Sequence, residues 1–581
     1  CLEGERARTA PMEPAGAGYH RAVVEDVPVG ARYRYRLDGG RTLPDPASRW
    51  QPDGVHGASA VAPEPFPWTD HAWRGRALTD YVLYELHVGT ATPEGTFEAL
   101  IPMLDGLRDL GVTAIELMPV AQFPGRRNWG YDGAYPFAPQ HSYGGPGGLR
   151  RLIDAAHERG LAVTLDVVYN HLGPEGNDLG AFGPYFTDRY RGPWGAAINF
   201  DGPGSDEVRR YFIENALGWV RDFHVDALRL DAIHGIFDVS ARPFLAELGA
   251  AVHAEAGRAG RAVHVIPESD LNDPRAIRPA ELGGWGLDAQ WNDDFHHALH
   301  ALLTGERQGY YRDFGTLEDL ASAWREGYVY AGRHSAFRGR RHGAPARACG
   351  ADRFVIFSQN HDQVGNRMLG ERLSALAPFD ALKLAAGMVL FAPGIPLLFM
   401  GEEYGETAPF LYFIEHGDPG LIEAVRQGRS REFAAFGWQA SPPDPQAEDT
   451  FRRSRLTPAP ALEGRHRALR EFYREALALR RAHPALARAD RDGLAVTVEE
   501  AARLFLARRG APGSSVFLMF HFGAQPAVRG VPVPPGRWRK RLDSAEWRWA
   551  GPGSAVPEDA APGAAQWPLA PYQCAVFAEE A

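Results

Sequence analysis

From about residue 80 the chain alternates short apolar runs with longer stretches of helical period. The apolar runs are "YVLYELHV" (81–88), "VTAIELMPV" (112–120), "AVTLDVVYN" (162–170), "VDALRLDA" (225–232), "VHVIPESD" (263–270), "LDAQWNDD" (287–294), "RFVIFSQNHD" (353–362) and "IPLLFMGEEYG" (395–405). Between them, Phe97, Leu100, Ile101, Leu104 and Leu107 recur at helix spacing, as do Leu149, Leu152, Ile153 and Ala156. Ser205 is placed to cap a helix that leads through Trp219 into the fourth run. Eight strand–helix units predict a closed parallel (β/α)8 TIM barrel over residues 78–488, with loop insertions after strands three and six. A doubly wound open sheet is the competing layout, but no glycine-rich dinucleotide turn follows the first strand.

The flanks have another period. Residues 1–77 contain "AGYHRAVVEDVPVGARYRYRLDGG", where polar and apolar positions alternate, and predict an N-terminal β-sandwich domain, short enough to be truncated. Residues 489–581 return to short strands between Gly/Pro turns and predict a C-terminal β-sandwich. The helix expected over 466–486 closes the barrel. The most apolar run, "LAAGMVLFAPGIPLLFM" (384–400), is broken by Gly387, Pro393, Gly394 and Pro396. It reads as a core helix, a turn and a strand, so no membrane partner is expected.

Three charges interrupt the fourth apolar run, "VDALRLDAIHGIF" (225–237): Asp226, Arg229 and Asp231. Burying unpaired charge is costly, so these need partners or a task. In a (β/α)8 barrel the chemistry gathers at the C-terminal strand ends. Arg229 and Asp231 end strand four, Glu268 ends strand five, and His361 and Asp362 end strand seven. Asp166, Asn170 and His171 end strand three. Strand two leads into "NWGYDGAYPFAP" (128–139), with Asp132 and Tyr135. Three carboxylates from three strands, Asp231, Glu268 and Asp362, thus converge with an arginine and two histidines. Crowded carboxylates push one another's pKa values apart, which leaves one protonated as an acid and one ionised as a nucleophile. Two carboxyls about 5 Å apart describe a retaining glycosidase. Trp129, Tyr131, Tyr135 and Trp291 would offer aromatic faces to sugar rings. Asp166 is as readily a structural ion-pair partner. His296 and His300 stand four apart, as zinc ligands can, but without a glutamate or third ligand they read as a helix face. Glu402 and Glu403 read as structural, and "GERARTA" (4–10) and residues 452–470 as solvated charged faces.

Composition narrows the choice. The net charge of −11 argues against a nucleic-acid partner, a basic membrane contact or an acidic substrate, and suits a neutral one. Cys1, Cys349 and Cys574 are too far apart in sequence for a disulfide framework or a metal motif, which favours a cytoplasmic setting. No cofactor or metal is expected.

Four motifs in order, "DVVYNH" (166–171), "ALRLDAIH" (227–234), "IPESD" (266–270) and "FSQNHDQ" (357–363), resemble the α-amylase superfamily of glycoside hydrolases over residues 80–485. The resemblance implies Asp231 as nucleophile, Glu268 as acid/base, and Asp362 as the residue holding the hydroxyls of the distorted −1 sugar. It also implies that Arg229, His171, His361, Asp132 and Tyr135 line that subsite, that Asp166 orients Arg229, and that Trp129, His234 and Asp293 complete the binding set.

Longer stretches resemble the branch of that superfamily that acts on maltooligosyltrehalose, releasing trehalose and a maltooligosaccharide. These are "NWGYDGAYPFAPQHSYGGPGGL", "QWNDDFHHALHALLTGE", "FSQNHDQVGNR" and "GEEYGETAPFLYF". "FIEHGD" (413–418) departs from the "FTDH"-like run expected there. A glycogen branching or debranching enzyme on the same scaffold is the nearest rival. A non-catalytic sugar-binding barrel would be expected to lack one of the three carboxylates.

Overall fold

The computed structural model describes residues 1–3, 8–38, 40–63, 65–192, 194–435, 442–457 and 463–580, with the side chains of 433–435 excepted. Parts of both stretches read as solvated charged faces, residues 4–7 and 458–462, lie outside these.

Eight parallel strands form the central sheet: β1 (Leu83–Leu86), β2 (Ala114–Leu117), β3 (Ala162–Val167), β4 (Ala227–Leu230), β5 (His264–Pro267), β6 (Gln290–Trp291), β7 (Phe354–Ile356) and β8 (Ile395–Phe399). Their order is β5–β4–β3–β2–β1–β8–β7–β6, a TIM barrel in sequence order. The ring closes between β5 and β6 through Asp288. Its amide donates to the Val265 carbonyl at 2.9 Å, and its carboxylate accepts the Val265 amide at 2.7 Å.

Helices α1 (Phe97–Leu110), α2 (Gly145–Glu158), α3 (Ser205–Asp222) and α4 (Phe244–Ala259) follow the first four strands. Helices α5 (Asp293–Thr304) and α6 (Leu317–Glu326) follow β6, and α7 (Phe379–Leu390) and α8 (Gly464–Ala482) follow β7 and β8. Between β5 and β6 the only helix is a single 3-10 turn at Ala280–Leu282, so one of the eight expected strand–helix units lacks its α-helix. The Thr96 hydroxyl caps α1 by accepting the Ala99 amide, and Gly111 ends that helix at φ +112°. The insertion after β3 carries an antiparallel hairpin, Phe186–Gly192 with Gly195–Ile198. The apolar run at 384–400 is the end of α7, a turn and β8, and no helix of the described residues is long and apolar enough to cross a membrane.

The parallel register aligns Asp166 with Arg229, Ala227 with His264 and Leu230 with Pro267. Successive strand residues face opposite sides. Ala227 packs inside the barrel with Leu83, Ala114 and Ala162. Leu228 and Leu230 pack outward into the helical layer. Arg229, two residues past Ala227, therefore faces inward and upward. Asp226 has the other orientation and a structural task. Its carboxylate accepts the Trp73 indole N–H at 2.7 Å and the Val163 amide at 2.9 Å, and pairs with His157 Nε2 at 2.8 Å.

Among the described residues the N-terminal region contains three antiparallel pairs, Glu13–Gly16 with Tyr19–Arg21, Arg32–Tyr33 with Ser59–Ala60, and Tyr35–Arg36 with Thr42–Leu43. The C-terminal region has a six-stranded antiparallel sheet facing a second pair, Ala527–Val533 with Gly563–Leu569. Phe517, Trp538, Trp567 and Phe577 fill the space between. Lys383 of α7, fully buried, ties the barrel to this region by donating to the Ser544 and Trp549 carbonyls at 2.7 and 3.1 Å.

Candidate active site

Arg229 organises the barrel mouth. Its Nη1 donates to both Asp166 oxygens at 3.0 and 2.8 Å and to Asp231 Oδ1 at 2.8 Å, while Nη2 lies 3.7 Å from Glu268 Oε2. The guanidinium rests on the Trp291 ring, 4.4 Å from its centroid. One buried cation thus touches carboxylates from β3, β4 and β5, which is the partner that the charges of strand four required.

Asp231 keeps a second fixed contact. Asn170 Nδ2 donates to its Oδ2 at 2.6 Å and to its carbonyl at 2.8 Å. Both Asp231 oxygens therefore face donors. Glu268 differs. Burial, reinforced by the charges of Asp231 and Asp362 against the opposing Arg229 and His234, raises its pKa. The Ala232 amide donates to Glu268 Oε2 at 2.5 Å, so a proton on this carboxyl belongs on Oε1. The two side chains are each 13% exposed, open enough to meet a ligand.

Asp362 begins a short helix, His361–Gly365, capped by Asn360, whose Oδ1 accepts the Asp362 amide at 3.0 Å. Its Oδ1 accepts Asn366 Nδ2 at 2.5 Å. Asp293, at the start of α5, accepts Gln363 Nε2 at 3.1 Å. Burial and the neighbouring Glu268 and Asp362 push its pKa well up. His234 is exposed on the rim, with Nδ1 4.0 Å from Asp270.

His361 lies beneath the mouth, its Nε2 at 2.8 Å from the Tyr131 hydroxyl and its Nδ1 against Glu85 of β1. His171 is buried, which lowers its pKa. Its Nε2 meets the Tyr131 carbonyl at 2.8 Å and its ring stacks on Trp194, centroids 3.8 Å apart. Asp132 accepts Asn128 Nδ2 at 2.6 Å, and His416 Nε2 lies 3.6 Å away.

Two of the expected binding residues point elsewhere. Tyr135 directs its hydroxyl to the carbonyls of Val55 and Gly176, at 3.1 and 3.0 Å, as part of the seam with the N-terminal region. Trp129 is only 4% exposed. It stacks on Phe410 and donates its indole N–H to the Leu411 carbonyl, so neither face is open to a sugar. Both sit in the right loop, but Tyr131 and Tyr135 are four positions apart in it. Periodicity could not say which of the two turns to the mouth.

Of the aromatics in that loop it is Tyr131 that reaches the cluster, donating to Asp166 Oδ2 at 2.7 Å. Asn170 and Asn366, amides inside the motifs, and His416 in the divergent "FIEHGD" stretch also enter the network. In that stretch Ile414 is core, and Glu415 accepts the Arg126 amide at 2.7 Å. Outside the mouth, His296 spends its nitrogens on the Ser358 carbonyl and the Tyr311 hydroxyl, and His300 pairs with Glu306. Glu402 and Glu403 are buried against Tyr473 and Tyr84, and burial pushes both up to about 7.

The alpha-amylase catalytic-domain family model matches residues 61–180. A malto-oligosyltrehalose trehalohydrolase of Saccharolobus solfataricus is 50% identical over 446 residues, 77% of each chain. One of Mycobacterium tuberculosis is 46% identical over 92% of each chain. A crystal structure described as an alpha amylase from Salmonella typhimurium superposes with a TM-score of 0.87 at 38% identity, covering 98% of this chain and 94% of that one.

Proposed function

This chain belongs to the malto-oligosyltrehalose trehalohydrolase family, and from that premise we propose how its barrel mouth cleaves the α-1,4 bond next to a terminal trehalose unit. The observation that carries the reading is Arg229, a single cation in contact with Asp231 and Glu268, the two carboxyls that a retaining mechanism needs.

Asp231, held ionised by Arg229 and Asn170, attacks C1 of the −1 glucose. Glu268, kept protonated on Oε1, gives that proton to the departing glycosidic oxygen, and trehalose leaves as an intact disaccharide. Glu268, now a carboxylate, takes a proton from water. That water attacks C1, the Asp231 ester breaks, and the maltooligosaccharide is released with retained configuration. Asp362 and Asp132 hold sugar hydroxyls, His361 and His171 flank the ring, and Tyr131 takes the position expected of Tyr135. Asp293 and His234 lie on the rim, where the leaving disaccharide passes. No cofactor is needed for any step. The substrate is neutral and soluble, which suits an acidic protein with three free cysteines working in the cytoplasm.

Incubation with maltooligosyltrehalose, linear maltooligosaccharide and glycogen tests the reading. Free trehalose from the first substrate is expected, without new branches or debranched chains from the others. Branch formation in glycogen with no trehalose from the first substrate would assign the chain to another reaction of this fold.

A further inference from the structure

Glu85 stands on β1 inside the barrel, 1% exposed. Its Oε2 accepts the His361 amide at 2.9 Å and its Oε1 meets His361 Nδ1. A fully buried carboxylate in a strand is costly, and Glu116 on β2, at the same register level, leaves one oxygen without a partner. The tally of protons around His361 shows what Glu85 secures. Tyr131 has one hydroxyl proton. Burial pushes Asp166 up to about 7, but Arg229 Nη1 donates to both of its oxygens, which leaves it the acceptor, and the Tyr131 proton goes to it. The Tyr131 oxygen must then accept from His361, so Nε2 carries a hydrogen. Nδ1 faces a carboxylate oxygen whose partner oxygen already accepts a backbone N–H. That arrangement fits the ionised acid, and it puts a second proton on the ring.

We propose that Glu85 is a positioning residue that keeps His361 an imidazolium beneath the −1 sugar, so that the site has two buried cations, Arg229 and His361, against its carboxylates. The inference rests on the reading of this mouth as the hydrolytic site. Charged and titratable groups face the His361 ring from both sides. Asp362 beside it and Asp166 across from it favour the cation. Arg229 of β4 and His87, which burial keeps neutral, are the opposing neighbours, and Tyr131, Trp129 and Trp291 supply neutral rings. Burial disfavours the charged ring, but Glu85 and Asp362 together outweigh it and the pKa is raised.

The substitution Glu85→Gln separates charge from geometry. A glutamine can accept the His361 amide and donate to Nδ1, preserving the Nε2–H tautomer while removing the counter-charge. At neutral pH the variant is expected to lose about tenfold to a hundredfold in kcat for trehalose release, with KM changed less. The loss should shrink as pH falls, because protonation of the ring restores the cation. An equal loss at every pH would leave Glu85 a packing residue and overturn the proposal.

Nitrogen-15 NMR of imidazole-labelled wild-type enzyme, with the His361 signals assigned by their absence in His361→Asn, gives the second readout. Both ring nitrogens protonated at pH 7 is the expected result. A neutral ring would refute the role even if Glu85→Gln fails to fold. If the wild type releases no trehalose, the assignment of the reaction fails, whereas the NMR result still decides the state of the Glu85–His361 pair.

Discussion

Asn366 donates through Nδ2 to Asp362 Oδ1 at 2.5 Å, and its own Oδ1 accepts Arg429 Nη1 at 2.7 Å. The arginine, on the helix Pro419–Ala435 after β8, settles which end of the amide faces the carboxylate. It also donates to the Gly365 carbonyl at 3.0 Å and lies over the Tyr412 ring. Asp362 is thereby held, through Asn366, from the helix that follows β8. Asn366→Ala should reduce kcat about tenfold to a hundredfold by leaving Asp362 free to rotate. Arg429→Ala should act in the same direction but less, and the double variant should fall short of the sum, because both act on one carboxylate. Steady-state rates of the three variants measure this. Full additivity would mean that the two side chains do not work through Asp362.

Asp231→Asn removes the charge proposed to attack C1, and Glu268→Gln removes the proposed proton donor. Each should lower trehalose release by about a thousandfold or more, and the double variant by little beyond that, because nucleophile and acid act as a unit. Both substitutions are nearly isosteric, so melting temperatures should move by only a few degrees. A drop below about tenfold in either variant would remove that residue from the chemistry.

The pH profile follows from Glu268. Its pKa is raised by burial and by the neighbouring carboxylates, and the acid step needs the protonated form. Activity should therefore be full below that raised pKa and fall as pH rises through it. Glu268→Gln should abolish the part of this limb that Glu268 sets, leaving only the weaker fall that follows loss of the His361 cation. A wild-type profile with no basic limb up to pH 9 would contradict a carboxyl acid.

The barrel was legible because its signals are redundant. Eight apolar runs, helical spacing between them and charges at the strand ends all describe one architecture. Asp231, Glu268 and Arg229 could be found for the same reason: their two-residue and strand-end spacing fixes the face they share. Asp226 and Arg229 look alike in sequence, and only register assigns one to the outer layer and the other to the mouth. The helix missing after β5 and the orientation of the loop after β2 were not readable. Neither has a period, and a loop side chain's direction depends on what packs behind it. Tyr135 meets Val55 and Gly176, contacts from the N-terminal region and the β3 loop that no local pattern encodes.

Asp226 offers a stability test that leaves the mouth alone. Asp226→Ala would leave the Trp73 indole and the Val163 amide without their acceptor, and His157 with only Asp70. About 3–5 kcal/mol of destabilisation is expected, with kcat of the folded enzyme little changed. The His157 pKa is raised, burial working against the charged ring and the Asp226 and Asp70 carboxylates outweighing it. The contribution is thus fully present below the unfolded-state histidine pKa and is lost as pH rises through the raised folded value. Denaturant midpoints measured from pH 5 to 9 should fall across that window in the wild type, and the fall should be shallower in the variant, where Asp70 alone still faces the ring.

The two tyrosines of "YDGAY" separate site from scaffold. Tyr131→Phe deletes the hydroxyl that joins His361 to Asp166, leaving a buried donor and a buried acceptor each short of one partner. Both belong to the charge network under the −1 sugar, so kcat should fall about tenfold or more. Tyr135→Phe deletes a hydroxyl shared between two backbone carbonyls at the seam with the N-terminal region. That should cost about 1 kcal/mol of stability and leave kcat within about twofold. Parallel measurement of kcat and melting temperature on the two variants decides the assignment. A catalytic loss in Tyr135→Phe equal to that in Tyr131→Phe would restore Tyr135 to the binding set and place the loop after β2 differently in the working enzyme.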